Sequence, residues 1–180
     1  MVCCLLNITK EKPKILYHGS PHRDIEKLEP RDIKKRDPEE GPQVFATHDL
    51  ATATIFMAEQ ANGPSGLMND IPYFIILDSR DNFIKNDRGG HVYILPSKNF
   101  TSDPNKGLGE YEWTSKTPIK PIDKIEYPSV LDAMIENGVQ VYFINKDEFN
   151  KIEAEDRDAF IFRNRESENQ RRKSNARELK

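Results

Sequence analysis

The sequence predicts an α+β fold of short, mostly antiparallel strands with a few peripheral helices. Short apolar runs at residues 15–17, 73–77 and 91–96 have the length and the side chains of strands. Residues 51–61 and 129–138 instead carry helix punctuation, a capping residue before an apolar stripe. Hydrophobic residues make up 36% of the chain and charged residues 32%, so a core has to be concentrated in a few such elements.

Taken in order, Ile15-Leu16-Tyr17 is the first strand. His18, Gly19 and Ser20 follow before Pro21 stops ladder pairing, which leaves an imidazole at a strand end. Residues 24–30 suit a turn or two of helix closed by Pro30. Residues 31–43 hold almost no apolar side chain and carry strong turn chemistry, so they are expected to run over the surface. Val44-Phe45-Ala46 is a short strand, Thr47 or Asp49 an N-cap, and residues 51–61 an Ala-rich helix bearing Ile55, Phe56 and Met57.

After a break at residues 62–66, residues 73–77 are the clearest buried strand and are expected at the centre of a sheet. Residues 78–88 read as a polar connection, 91–96 as a strand and 97–109 as a loop. Residues 110–115 alternate polar and aromatic side chains like a strand with one packed face, which sets Glu110 and Glu112 on the same side. Residues 122–127 add a strand. Ser129 caps a helix that Asn137-Gly138 stops, and residues 139–144 form a last strand. Apolar side chains then thin out. The expected organisation is a single domain over residues 1–150 and a charged C-terminal helix or disordered tail over residues 151–180.

A formal charge of −3 gives no general attraction to nucleic acid or to an anionic membrane. No apolar run approaches the ~18–20 residues that span a bilayer, and the apolar start at residues 1–6 is too short for a signal-peptide core. A cytoplasmic monomer with no membrane partner is expected. Cys3 and Cys4 are adjacent and badly placed for a disulfide, so they read as small apolar residues. His22, His48 and His91 lack ligand spacing with any carboxylate or Cys pattern, and no metal is expected.

Tyr17-His18-Gly19-Ser20, followed after a polar loop by Val44-Phe45-Ala46-Thr47 and an Ala-rich helix, resembles the ADP-ribosyltransferase fold of the His-Tyr-Glu lineage. That lineage includes diphtheria-toxin-like toxins, poly-ADP-ribose polymerases and rifamycin ADP-ribosyltransferases, the last being the nearest pattern. The similarity spans roughly residues 15–126. It implies an ADP-ribosyltransferase-like split β-sandwich with NAD as substrate. His18 would then hydrogen-bond the adenosine ribose, the Gly19 backbone clamp the nicotinamide amide, and Ser20 hold a ribose hydroxyl. Phe45 stands where the family often has Tyr and would stack on nicotinamide or pack in the core, with Phe56 or Tyr17 as the opposing ring. Thr47 would adjoin the cofactor, and Arg31 or Arg36 would pair with a phosphate.

Cleaving the nicotinamide–ribose bond passes through a cation-like sugar and calls for a nearby carboxylate. Glu112 is the better positional match, with Glu110 assisting it or positioning the acceptor. The implied activity moves ADP-ribose from NAD to an acceptor on protein, nucleic acid or a small molecule, in a toxin, effector or housekeeping setting. The missing Tyr hydroxyl at Phe45 motivates an alternative, a non-catalytic module binding NAD, ADP-ribose or a nucleotide end. A third reading, an NAD-using RNA 2′-phosphotransferase, needs basic residues gathered round a phosphate, whereas Arg31, Lys34, Lys35 and Arg36 share one loop.

Overall fold

A computed structural model describes residues 11–32, 38–59 and 62–178. The Cys3-Cys4 pair, Lys34, Lys35 and Arg36 lie outside the described residues. The elements in order are β1 (Ile15–Ser20), β2 (Val44–Ala46), α1 (Leu50–Ile55), β3 (Ser65–Met68), β4 (Ile71–Ile76), α2 (Arg80–Asn86), β5 (Gly90–Pro96), β6 (Trp113–Ser115), β7 (Asp123–Tyr127), α3 (Val130–Glu136), β8 (Gln140–Phe143), α4 (Lys146–Lys151), α5 (Arg157–Asn164) and α6 (Glu168–Glu178). The architecture is mixed α+β with short, mostly antiparallel strands and peripheral helices.

The strands form three small sheets, ordered β1-β5-β7, β2-β6 and β3-β4-β8. All named pairs are antiparallel except β4 with β8. β4 lies between β3 and β8, as the apolar run of its sequence predicts. Phe74 and Ile76 enter a core with α1, α3 and β8, while Tyr73 and Ile75 face a second core closed by Phe149 and Ile161. Burial on both faces explains the absence of alternation. A third core, Leu16, Val44, Ala46, Tyr93, Leu95 and Phe100, lies under β1, β2 and β5.

Several local expectations are corrected. β1 continues through Ser20, so His18 sits inside the strand opposite Tyr93 rather than at its end. Residues 24–30 form no helical turn, because the Leu28 backbone is drawn into an antiparallel bridge with Ile119. α1 ends at Ile55, where Phe56, Met57 and Ala58 donate to carbonyls three residues back and tighten the last turn. The polar stretch 78–88 contains α2, capped by Ser79 and packed by Phe83 against Phe143. Residues 109–111 form a 3-10 turn and β6 begins only at Trp113, so Glu110 and Glu112 do not share a strand face.

α3 is anchored by Asp87, whose carboxylate accepts from Val130 N–H, Leu131 N–H and Ser129 Oγ. At the C-terminus, the Asn169 amide donates to the Val139 carbonyl (2.9 Å) and accepts from Val141 N–H (3.1 Å). Glu168 beside it is 3% exposed and accepts from Arg80 Nε at 2.9 Å and Arg172 Nε at 3.1 Å. Hydrogen bonding to two guanidinium groups is what makes a buried carboxylate tolerable. The first turn of α6 is therefore docked on β8 and its outer face is solvated.

Candidate functional site: a cleft across β1, β2 and β6

Three sequence motifs meet on neighbouring strands. Tyr17 N–H donates to the Thr47 carbonyl at 2.7 Å and Thr47 N–H returns a bond to Tyr17 at 2.9 Å, which joins β1 to the end of β2. β2 pairs with β6 in the register Val44 with Ser115, Phe45 with Thr114 and Ala46 with Trp113. Glu112, one residue before that pairing starts, is thereby carried to the same end as Thr47. Motifs separated by some thirty and sixty residues of sequence become adjacent through backbone hydrogen bonds.

α1 closes the other side. Asp49 is its N-cap, accepting from Thr52 N–H at 2.8 Å, and Thr47 Oγ1 in turn accepts from Asp49 N–H at 3.1 Å. The helix approaches β1 at Gly19 so closely that a Cβ there would lie 1.9 Å from the Ala53 carbonyl oxygen. The close approach made by Gly19 is thus to a helix backbone, and it seats Phe56, 52% exposed, at the mouth of the cleft.

The cleft has a volume of about 620 Å³, within the ~300–1,000 Å³ usual for small-molecule sites. Tyr17, His18, Gly19, Ser20, Arg31, Phe45, Thr47, Phe56 and Glu112 all line it. Glu110 is exposed in the 3-10 turn and does not contribute to the lining. Arg36 lies outside the described residues. The structure adds Gln43 and Tyr111, which sequence reasoning missed. Tyr111 rests against His48, ring centroids 5.0 Å apart. Gln43 is buried and its backbone bonds reciprocally to Arg31, which holds that arginine at the cleft. Nothing in the local sequence distinguishes Gln43 from other loop residues.

His18 has a defined tautomer. Its Nδ1 lies 2.7 Å from the Phe45 carbonyl oxygen, an acceptor only, so Nδ1 carries the proton and Nε2 is left with the lone pair. Burial lowers the pKa of the ring below its ordinary value; the Phe45 hydrogen bond opposes that shift, and the charge of Arg31 adds to it. The imidazole is therefore neutral at pH 7, with one fixed donor and one acceptor. Ser20 Oγ accepts from His22 N–H at 3.2 Å and keeps its own proton to donate. Glu112 is half-buried, its N–H donating to the Gly109 carbonyl at 3.1 Å. Its carboxylate lies over Gly107, where a Cβ would come within 2.4 Å of Oε1. Gly107 has φ +55°, a backbone shape that favours glycine.

No protein-family model, curated protein or solved structure matches this chain.

The cleft lining combines aromatic rings, hydrogen-bonding groups and charge. Tyr17, Phe45, Phe56 and Tyr111 offer ring faces and edges; His18, Ser20 and backbone groups offer hydrogen bonds; Glu112 offers negative charge. Among the described residues no group of three or more His, Cys, Asp or Glu side chains has the geometry to hold a metal ion. No helix among them is long and apolar enough to cross a membrane.

Proposed function

We propose that the chain is an NAD-dependent ADP-ribosyltransferase using this cleft. The observation that carries the reading is the convergence of Tyr17 to Ser20, Phe45 to Thr47 and Glu112 on one cavity across β1, β2 and β6. The residues suit NAD: aromatic rings for nicotinamide, His18 Nε2 and Ser20 for ribose hydroxyls, and Arg31 for the pyrophosphate. In the reaction the C1′–N bond breaks, nicotinamide leaves neutral with the bonding pair, and the Glu112 carboxylate offsets the positive charge that develops on the ribose. An acceptor then bonds to C1′ and gives up a proton. Incubation with NAD labelled in both halves tests this reading. Release of nicotinamide above the buffer rate is expected, and absence of both release and NAD binding would remove it.

Phe45 supports a second reading. It supplies a ring but no hydroxyl, which suits a module that holds NAD or ADP-ribose without turnover. Ligand at a hundred times its Kd would raise stability by about 2.7 kcal/mol in either case, and only the enzyme would release nicotinamide. An RNA 2′-phosphotransferase has less support, because Arg31 is the one Lys or Arg on the described cleft lining, beside Glu29, Asp32 and Glu112.

A further inference from the structure

We propose that the outer edge of β3 takes up an extended segment of a partner protein as an added strand. This role is independent of what the cleft binds. β3 is a terminal strand of the sheet ordered β3-β4-β8. The opposite margin of that sheet is closed, because the Asn169 amide bonds the Val139 carbonyl and the Val141 N–H on the outer side of β8. Among the described residues, no backbone of another element pairs with the outer side of β3.

The hydrogen bonds of the β3–β4 hairpin fix which groups face outward. Ile75 N–H donates to the Pro64 carbonyl at 3.0 Å and Leu77 N–H to the Asn62 carbonyl at 2.8 Å, in phase with the register of Gly66 with Tyr73 and Met68 with Ile71. Bonded positions alternate along an antiparallel pair. Residues 62, 64, 66 and 68 therefore turn their main-chain groups to β4, and Ser65 and Leu67 turn theirs away. Pro64 stands at an inward position, so its missing N–H leaves the outward row unbroken; proline blunts an edge where its nitrogen faces out. Charge is the other common protection of an edge. β7, at the margin of the first sheet, has it in exposed Asp123, Lys124 and Glu126, whereas residues 62–68 hold no charged side chain.

The occupant is a single extended segment rather than a second copy of this chain. Within the β3–β4 hairpin Ile71 is the one large apolar side chain that stands exposed, too little for the ~1,200–2,000 Å² that a stable interface between folded proteins buries. A peptide strand needs only the two N–H and two C=O groups of Ser65 and Leu67, and an uncharged segment with a β-branched or aromatic residue beside Leu67 suits them. Ser65 also lines the cleft, so the docked segment passes the cleft at that position.

Amide hydrogen exchange followed by NMR in the full chain tests this, with an eight-residue peptide of alternating Thr and Val as the probe. In the free chain the Ser65 and Leu67 amides should exchange fast and those of Gly66 and Met68 slowly. Millimolar peptide should protect Ser65 and Leu67, and the same peptide with its central amides N-methylated should not. Leu67→Pro removes an outward N–H and no bond to β4, so the fold should persist while the peptide binds about fivefold more weakly. Leu67→Lys leaves the backbone intact and should weaken binding as well. Equal protection of all four amides in the free chain, a peptide that leaves Ser65 and Leu67 unprotected, or undiminished binding by both variants overturns the inference. Protection that rises with protein concentration alone, with a dimer in sedimentation, also overturns it and assigns the edge to a second copy.

Discussion

Gly19 is where β1 and α1 meet with no side chain between them, and Gly19→Ala probes that contact. A Cβ at this position lies 1.9 Å from the Ala53 carbonyl oxygen, 3.0 Å from its carbonyl carbon and 3.3 Å from Phe56 Cβ. An ordinary carbon–oxygen contact is ~3.3 Å, so α1 has to retreat by about 1.4 Å for the methyl to fit. The obstacle is backbone, and a rotamer change cannot relieve it. Overpacking costs ~1–3 kcal/mol, and a rigid obstacle places this variant near the upper end, about 3 kcal/mol. At roughly 2–4 °C per kcal/mol for a chain of this size, the melting temperature should fall by about 6–12 °C. Because the displaced helix carries Phe56 away from the cleft mouth, NAD affinity should fall as well. Thermal denaturation by circular dichroism and calorimetric titration with NAD measure the two effects. A melting temperature within about 2 °C of wild type would refute the packing argument, and undiminished NAD affinity would separate α1 from the cleft.

Other expectations follow from single groups. Asp87→Ala removes the acceptor of four hydrogen bonds from Gly89, Ser129, Val130 and Leu131, and should cost about 2 kcal/mol in urea denaturation; a loss below about 0.5 kcal/mol would contradict the anchoring role. For Glu168, burial works to raise the carboxyl pKa, yet hydrogen bonds from Arg80 and Arg172 outweigh it and hold the group below its ordinary value of 4.5. Its contribution is therefore complete above pH 4.5 and lost as pH falls through the lower folded value, so Glu168→Gln should flatten stability against pH in that window; an unchanged slope would count against the pairing. The His18 ring should titrate below 6.5 when followed by NMR, because burial dominates its environment. His18→Ala should weaken NAD binding about tenfold through loss of a ground-state contact, and unchanged affinity would exclude His18 from the site.

What could be read in the sequence was whatever depends on local pattern. β4 announces itself by an apolar run with both faces buried, and α3 by Ser129 at one end and Gly138, with φ +94°, at the other. The residues of the first two motifs were singled out by the family resemblance, and they lie on the lining of one cleft. Glu110-Tyr111-Glu112 misled because its alternation imitates a strand. The preceding Gly107 and Gly109 adopt positive φ and fold the chain into a 3-10 turn, exposing Glu110 while Glu112 remains at the cleft. α2 was obscure because a single ring, Phe83 against Phe143, packs it, and the docking of α6 was obscure because its anchoring is polar. Ser79 caps the first, and Asn169 and Glu168 fasten the second to β8 and Arg80, contacts that leave no hydrophobic period. Gln43 gained its place only through the bridge to Arg31, a product of tertiary structure.

The proposed function depends most on a carboxylate that stabilises charge at the ribose, and nicotinamide release by Glu112→Gln measures that directly. Glutamine preserves shape and hydrogen bonding, so folding and NAD affinity should remain near wild type while release slows by ~10²-fold or more. Glu110→Gln, exposed and away from the cleft lining, should stay within about twofold of wild type. Nicotinamide release by Glu112→Gln at the wild-type rate would contradict the catalytic assignment and leave the cleft as a binding site alone.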